Sequence, residues 1–128
     1  MGIVSVDVGL VSDSERVLTF YEEVLGGTRL EPRVFPFATV HRLQLGPITL
    51  KVFVPADEPA APPPAEHFGD IAGLRYLTFW VDDLDALAER WAAAGGEVRT
   101  PPRDLRPGVR MALLFDPDGT AVEALQEG

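Results

Sequence analysis

The chain is 128 residues long, carries a formal net charge of −9, and is 46% hydrophobic and 24% charged. These values are typical of a single globular domain and exclude a disordered chain. The chain contains no Cys, which excludes a disulfide framework and thiolate metal sites. No apolar run approaches the roughly 20 residues that span a bilayer, and nucleic-acid phosphates would require clustered Lys and Arg. Because the N-terminus also lacks a signal-peptide pattern, we expect a cytoplasmic protein without membrane or nucleic-acid partners.

The first segments predict a strand followed by an amphipathic helix. Residues 3–11 alternate as in a half-buried strand. Ser12 and Glu15 have the spacing of a capping box, which predicts that a helix begins here. Gly26 is expected to end this helix, because Gly readily adopts the left-handed conformation found after helix C-termini. The predicted buried face consists of Val17, Leu18, Tyr21, Val24 and Leu25.

Strands are predicted next over residues 28–30, 34–45 and 48–54, with Gly46-Pro47 as the turn between the last two. The segment 55–72 is rich in Pro. Pro-rich segments are extended and semi-rigid, so this one is interpreted as a linker.

A second series of elements follows the linker. A strand is predicted over residues 75–81, and then a helix capped by Asp82 or Asp83 and ended by Gly95-Gly96. The predicted buried face of this helix is Leu84, Leu87, Ala88 and Trp91. Strands are predicted over residues 97–100, 109–115 and 120–125, and Asp116-Pro117-Asp118-Gly119 has the composition of a tight turn.

The two series are copies of one unit. Asp13, Gly26 and Gly27 each recur 69 residues later, as Asp82, Gly95 and Gly96, and a fixed period indicates a duplicated supersecondary unit. The predicted fold is therefore α+β, with two βαβββ modules (residues 3–54 and 74–126) forming a curved mixed sheet around a cleft within one domain, 1–128. After the shorter turn at residues 46–47 the offset becomes 72, so that Lys51 corresponds to Glu123.

This pattern resembles the vicinal oxygen chelate superfamily, the glyoxalase/bleomycin resistance protein/dioxygenase type. The resemblance rests on Phe20-Tyr21 before Leu25-Gly26, on Val81-Asp82-Asp83-Leu84, and on Phe115-Asp116-Pro117-Asp118-Gly119 before Glu123. It covers nearly the whole chain. It implies a homodimer, but it does not specify one activity, because the superfamily includes lyases, isomerases, oxygenases and binding proteins without catalysis.

The resemblance also implies where a divalent metal would be held. Metal-using members present His, Glu or Gln at four strand positions, which fall here on Asp7, Lys51, Tyr76 and Glu123. Asp7 and Glu123 are the candidate ligands for a hard cation. An ammonium at Lys51 would repel the cation, and the absent His removes the usual nitrogen ligand. We therefore expect no metal cofactor, with Lys51 bridging Asp7 and Glu123 in place of the ion.

Two interpretations of these four positions stay open. In the first, they form a structural ion-pair cluster that fills the former metal site. In the second, they anchor a ligand within a pocket that also has apolar walls. The complete set of candidate ligand-binding residues is Asp7, Phe35, Phe37, His41, Lys51, Phe53, Tyr76, Trp80 and Glu123. Aromatic walls suit a flat aromatic ligand, although each aromatic and His41 also fits an ordinary position in the core or on the surface.

The sequence thus favours a metal-independent small-molecule binding protein that sequesters an aromatic natural product or drug. The alternative is an enzyme of the same superfamily, a lyase, isomerase or dioxygenase, with an atypical divalent-metal site or a metal-free acid–base site. A third interpretation is a scaffold module whose cavity is filled by side chains. Finally, Arg99, Arg103, Arg106 and Arg110 form a basic cluster, interpreted as a solvated loop, with the alternative of a rim that steers an anionic ligand.

Overall fold

The structure, a computed structural model, describes residues 2–62 and 67–128. The chain divides into two compact units, residues 1–61 (unit 1) and 62–128 (unit 2). Each unit contains one α-helix and one four-stranded mixed sheet, so the predicted α+β class is confirmed. Among the described residues, no helix is long and apolar enough to cross a membrane.

Unit 1 follows the order strand, helix, strand, strand, strand. Its elements are β1 (Asp7–Val11), α1 (Arg16–Leu25), β2 (Thr28–Phe35), β3 (Ala38–Leu45) and β4 (Ile48–Pro55). The strand order across the sheet is β1-β4-β3-β2. β1 pairs with β4 in parallel, and the other neighbours are antiparallel.

Unit 2 repeats this order after a short 3-10 helix (Phe68–Asp70). Its elements are β5 (Tyr76–Trp80), α2 (Leu84–Ala93), β6 (Glu97–Arg106), β7 (Val109–Phe115) and β8 (Ala121–Glu127). The sheet order is β5-β8-β7-β6, again with a parallel pair, β5 and β8, at one edge.

The strand register confirms the internal repeat and its change of offset. In unit 1, Lys51 lies opposite Gly9, the third residue of β1. In unit 2, Glu123 lies opposite Thr78, the third residue of β5. Lys51 and Glu123 are therefore equivalent positions in the two copies, as the sequence predicted.

Each helix buries its apolar face against its own sheet. In α1 the buried residues include Val17, Leu18, Tyr21 and Val24, as predicted, together with Phe20. In α2 they are the four predicted residues, Leu84, Leu87, Ala88 and Trp91. Trp91 is completely buried, and its indole Nε1 donates to the carbonyl oxygen of Phe115 at 2.8 Å. Helical periodicity therefore found most of both helix cores, but it missed Phe20 and included Leu25, which is only half-buried.

The predicted capping box at Ser12 is wrong. Helix α1 begins at Arg16, with Glu15 at the N-cap position. Ser12 is buried, and its amide donates to the carbonyl oxygen of Phe53 at 3.1 Å. This bond extends the pairing of β1 with β4 by one residue, to Ser12. Ser12 is therefore part of the strand pairing, and α1 begins only at Arg16. In the second copy the predicted cap is present, because Asp83 Oδ1 accepts from the amide of Ala86 at 3.0 Å.

The long strand predicted over residues 34–45 is also wrong, since a turn at Pro36-Phe37 divides it into β2 and β3. Pro presets the backbone dihedral φ that the first central turn residue requires. Strand β6 is longer than predicted and includes Pro101 and Pro102, which a strand tolerates at the edge of a sheet. The predicted turns at 46–47 and 116–119 are present, and Asp116 Oδ1 accepts from the amides of Asp118 and Thr120, both at 2.9 Å.

The predicted linker, residues 55–72, contains more structure than its composition suggests. Pro55 ends β4, and His67 caps the short helix by accepting from the amide of Gly69 at 3.0 Å through Nδ1. Residues 63–66 of this linker lie outside the described residues. The module boundaries and the single-domain assignment stay predictions.

Candidate functional site

The candidate site in unit 1 lies on the face of the sheet opposite α1, called here the open face of unit 1. Side chains alternate between the two faces of a strand, and paired residues share a face. Leu43, Leu50 and Val52 are completely buried on the face towards the helix. The open face therefore carries the alternate residues, in three cross-strand rows: Gln44, Thr49 and Asp7; then Leu30, Arg42, Lys51 and Gly9; then Arg33, Val40, Phe53 and Val11.

An ion pair lies on this face near the β1 edge of the sheet. Lys51 Nζ lies 3.0 Å from Asp7 Oδ2, and the two side chains are 39% and 42% exposed. The two residues belong to neighbouring strands, with Asp7 diagonal to Lys51 across the parallel pair. Of the expected bridge from Lys51 to Asp7 and Glu123, the contact with Asp7 is present and open to solvent, and the contact with Glu123 stays a prediction.

A group of phenylalanines, the aromatic patch, adjoins the ion pair and consists of Phe35, Phe37 and Phe53. The rings of Phe35 and Phe37 are stacked, with centroids 5.2 Å apart and an interplanar angle of 17°. The ring of Phe53 lies 6.3 Å from that of Phe37. Phe35 and Phe37 are 42% and 61% exposed. Stacked rings that stay exposed provide a flat apolar surface that the fold of unit 1 does not bury.

His41 lies on the other face of the sheet, towards α1, and not beside Lys51. Its Nδ1 is 3.4 Å from Glu15 Oε2. Arg29 contacts the same oxygen at 2.9 Å and also reaches Glu22 Oε1 at 3.2 Å. These groups connect the start of α1 to the sheet. His41 thus lies on the opposite face of the sheet from Lys51 and Asp7, the other charged candidates of unit 1.

In unit 2, the remaining predicted residues lie on the equivalent face of the second sheet. Tyr76, Thr78 and Trp80 share one side of β5, and Glu123 lies opposite Thr78. The Thr78 hydroxyl donates to Glu123 Oε1 at 3.0 Å. Tyr76 and Trp80 are 47% and 53% exposed. The carboxylate of Glu123 is thus oriented by a hydroxyl and flanked by two accessible rings.

An apolar cluster lies beside these residues on the same face. Its buried members are Val109, Met111, Leu113 and Leu125. Phe68, from the short helix, packs against this cluster and meets the ring of Tyr76 edge-on with centroids 5.0 Å apart. The short helix therefore covers part of this sheet face, which the sequence did not predict.

The donor chemistry at the four superfamily positions does not fit a divalent metal. In unit 1 the two positions are Asp7 and Lys51, and an ammonium paired with a carboxylate has no lone pair to offer a cation. In unit 2 the positions are Tyr76 and Glu123, of which only Glu123 is an ordinary oxygen ligand. No cluster of three His, Asp or Glu side chains with metal-binding geometry occurs in residues 2–62 and 67–128.

The pKa values that are clearly shifted belong to two ion pairs of unit 2, Asp85–Arg110 and Glu97–Arg99. A hydrogen bond from Arg110, partly opposed by desolvation, lowers the pKa of the Asp85 carboxyl. The guanidinium of Arg99 lowers the pKa of Glu97 in the same way. Arg99 also stacks on Phe115, with its Cζ 4.3 Å from the ring centroid. Two of the four clustered arginines, Arg99 and Arg110, are thus engaged in local pairs.

Among the residues of the open face that the sequence prediction missed, Gly9, Arg33 and Arg42 matter most for function. Arg42 lies directly opposite Lys51, and its Nε and Nη2 donate to the carbonyl oxygen of Glu31 at 3.2 and 2.8 Å. Gly9 leaves open space beside Lys51, since a Cβ built there would meet nothing within 4 Å. Strand alternation from Lys51 would have suggested Gly9 and Arg42 only once the pairing of β1, β3 and β4 was known.

Comparisons with known proteins place the chain in a family. The sequence model of the glyoxalase/bleomycin resistance protein/dioxygenase superfamily matches residues 8–124. The chain therefore belongs to this superfamily, in agreement with its two βαβββ units.

Individual relatives agree with this assignment. The chain is 31% identical over 117 residues to CFP32 of Mycobacterium bovis, whose name calls it a glyoxylase; the match covers 91% of this chain and 41% of CFP32. It is 33% identical over 78 residues to the anthracycline biosynthesis protein DnrV of Streptomyces peucetius, covering 61% of this chain and 28% of DnrV. The crystal structure of SMU.1112c superposes with a TM-score of 0.76 and 29% identity, covering 98% of both chains. The chain thus spans less than half the length of CFP32 and less than half the length of DnrV.

Proposed function

We propose that this chain is a metal-independent small-molecule binding protein that takes a flat aromatic ligand. The observation that carries the proposal is the Lys51–Asp7 ion pair, 3.0 Å long, beside the exposed aromatic patch. Lys51 and Asp7 are two of the four positions at which the resemblance places metal ligands. In this proposal the Lys51 ammonium replaces the positive charge of a metal ion beside Asp7. The patch provides a surface on which a planar ring can stack.

Two further features support binding of an aromatic compound. Tyr76 and Trp80 add two accessible rings on the equivalent face of unit 2. DnrV, a relative over part of the chain, is named for the biosynthesis of an anthracycline, which is an aromatic compound. A solution homodimer and a cytoplasmic location complete the proposal.

Metal analysis of the purified protein tests the metal-independent part. We expect no stoichiometric divalent ion, and the midpoint of thermal unfolding should be the same with and without EDTA. A stoichiometric ion that EDTA removes, with a lowered midpoint, would overturn the proposal. Sedimentation equilibrium measures the oligomeric state, for which a monomer at all concentrations would contradict the proposed dimer.

Binding of a fluorescent aromatic probe tests the ligand site. Replacing Phe37 by Ala should weaken binding about fivefold, because a stacked ring contributes on the order of 1 kcal/mol. Val34 is the matched control, since it is 74% exposed and its partner in β3 is Thr39, which lies on the face towards α1. If Val34→Ala weakened binding as much as Phe37→Ala, the aromatic patch would not be the binding surface.

The name of CFP32 favours a second candidate, an enzyme of the glyoxalase type. In that case Glu123, held by the Thr78 hydroxyl at 3.0 Å, is the group best placed to move a proton in unit 2. Turnover of an α-oxoaldehyde in the presence of a thiol, abolished by Glu123→Gln, would favour this candidate. Saturable aromatic binding without turnover would favour the binding protein.

A further inference from the structure

We propose that the ligand of the open face of unit 1 is an aromatic acid, with its ring on the aromatic patch and its anionic group beside Arg42 and Lys51. This inference rests on the proposed binding function and adds the charge of the ligand. The argument uses the charge balance of the face, the position of the cations relative to each other, and the space above Gly9.

The sign of the charge on this face is opposite to that of the whole protein. The chain has a net charge of −9. In the three rows of the open face, however, three cations, Arg33, Arg42 and Lys51, accompany a single carboxylate, Asp7. A local excess of positive charge on an acidic protein attracts anionic ligands and repels cationic ones.

Two of these cations lie where sheet stability alone would not place them. Arg42 and Lys51 are directly paired across β3 and β4. Like charges opposite each other destabilise a sheet. Asp7 pairs with Lys51, whereas Arg42 donates to the carbonyl oxygen of Glu31, which carries no net charge. A departure from local stability rules is typical of a functional site. An anionic ligand group near both cations would supply the missing negative charge.

The geometry leaves room for such a ligand. Gly9 is in the same row as Arg42 and Lys51, and a Cβ at Gly9 would meet nothing within 4 Å. Phe53 lies in the next row, with Phe37 6.3 Å away from it. In this row Lys51 lies between Gly9 and Arg42. A carboxylate above Lys51, with an attached planar ring above Phe53 and Phe37, therefore fits one small molecule with an aromatic ring next to its acid group.

Hydrogen bonds hold the side chain of Arg42 in place in the absence of a ligand. Its Nε and Nη2 both donate to the carbonyl oxygen of Glu31, at 3.2 and 2.8 Å. This anchoring limits the conformational freedom that the side chain would lose on binding. Arg42 is therefore a specificity-determining residue of the proposed site, together with Lys51.

Three probes of the same shape and different charge test the inference. They are 2-naphthoate, neutral 2-naphthamide and cationic 2-naphthylmethylamine, titrated into the purified protein at neutral pH and low salt. We expect naphthoate to bind at least about tenfold more tightly than the amide, which corresponds to about 1.4 kcal/mol, and the amine to bind most weakly. The advantage of naphthoate should decrease as salt increases.

Substitutions test whether the preference for naphthoate arises on the open face of unit 1. Arg42→Gln and Lys51→Gln should each remove most of the naphthoate preference and leave the affinity for the amide unchanged. Gly9→Val should weaken all three probes, because its side chain occupies the space beside Lys51. Arg16→Gln is the control, since Arg16 is a cation on α1 and pairs with Asp13, so the preference should persist in it.

The outcomes separate this inference from the proposed function. Equal affinity for the three probes, or preference for the amine, overturns the aromatic-acid inference and leaves the aromatic-binding function intact. Absence of saturable binding for all three probes overturns both. If the open face instead forms an interface between two copies of the chain, Phe37→Ala would dissociate the dimer in sedimentation and naphthoate would not bind to the wild-type dimer, which also overturns the inference.

Discussion

Asp83 and Glu15 precede the two helices of the repeat, but only Asp83 caps its helix. Its Oδ1 accepts from the amide of Ala86 at 3.0 Å. The Glu15 carboxylate instead contacts Arg29 at 2.9 Å, so it connects α1 to β2. The two copies thus keep the same order of elements although different contacts hold the start of each helix.

Loss of the Asp83 cap should be measurable. Asp83→Ala is expected to lower the free energy of unfolding by about 1 kcal/mol, because one amide at the helix start loses its acceptor. Urea unfolding followed by circular dichroism measures the change. Asp82→Ala is the matched control, since Asp82 is the exposed residue just before the cap. A similar loss in both variants would contradict the assignment of the cap to Asp83.

The Asp85–Arg110 pair should give the stability a dependence on acid pH. Both Asp85 oxygens accept from Arg110 at 3.1 Å, and the pKa of Asp85 is lowered, first by this hydrogen bond. A carboxyl with a lowered folded-state pKa stabilises the protein above the ordinary Asp pKa of about 4, and this contribution is lost as the pH falls through the folded value. Thermal unfolding midpoints of Asp85→Asn should therefore decrease less steeply in acid than those of the wild type.

The control for this pH dependence is Asp82→Asn, which changes the same charge on a neighbouring residue. Its midpoints should decrease with falling pH as steeply as those of the wild type. If Asp85→Asn and Asp82→Asn gave identical profiles, the hydrogen bonds from Arg110 would not shift the Asp85 titration in solution.

At the scale of elements, the glycine pairs after the two helices have different neighbours. Gly26 ends α1 with φ 76°, as predicted. Gly27 has φ 91°, and a Cβ there would lie 2.5 Å from the carbonyl oxygen of Gln44 in β3. Gly95, after α2, has φ 105° but open space around the position of a Cβ. The first pair therefore both ends a helix and allows the chain to pass close to β3.

This difference predicts unequal effects of substitution by Ala. Gly95→Ala should cost roughly 1–2 kcal/mol of unfolding free energy, the cost of the left-handed conformation alone. Gly27→Ala should cost more, because its Cβ also displaces the backbone of β3. Chemical denaturation of both variants measures the two values. Equal losses would mean that β3 moves away at negligible cost.

At the scale of the whole molecule, the net charge of −9 opposes the compact state through self-repulsion. Added sodium chloride should screen this repulsion and raise the thermal midpoint at neutral pH. The increase should disappear near pH 4.5, the isoelectric point of the sequence. A midpoint that falls with salt at neutral pH would mean that local pairs such as Lys51–Asp7 outweigh the repulsion.

The sequence contained signals for the order of elements of the superfamily and for the unusual residue, Lys51, at one of the superfamily's metal positions. The repeat, with Gly26 and Gly95 after its helices, predicted two βαβββ units. Helical periodicity found the buried faces, because burial requires apolar side chains at a spacing of 3 or 4 residues. The register of the sheets then confirmed that Lys51 and Glu123 are equivalent.

Predictions from the local sequence were wrong where a tertiary contact favoured a different placement of the residue. Ser12 has the side chain of an N-cap, but its amide bonds to β4 and its side chain is buried. His41 has the alternation of a strand residue, and only the position of α1 shows which side it occupies. Because side chains alternate with a period of two, the sequence groups residues by face but does not say which face a helix covers.

The sequence by itself determined the repeat and the fold class, since these follow from spacing along the chain. The tertiary structure alone decided which side chains share a surface. It placed His41 against α1 and brought Arg42 beside Lys51 through the pairing of β3 with β4. The physical reason is that strand pairing joins residues distant in the chain, so the charge of the open face is a property of the sheet and of no single segment.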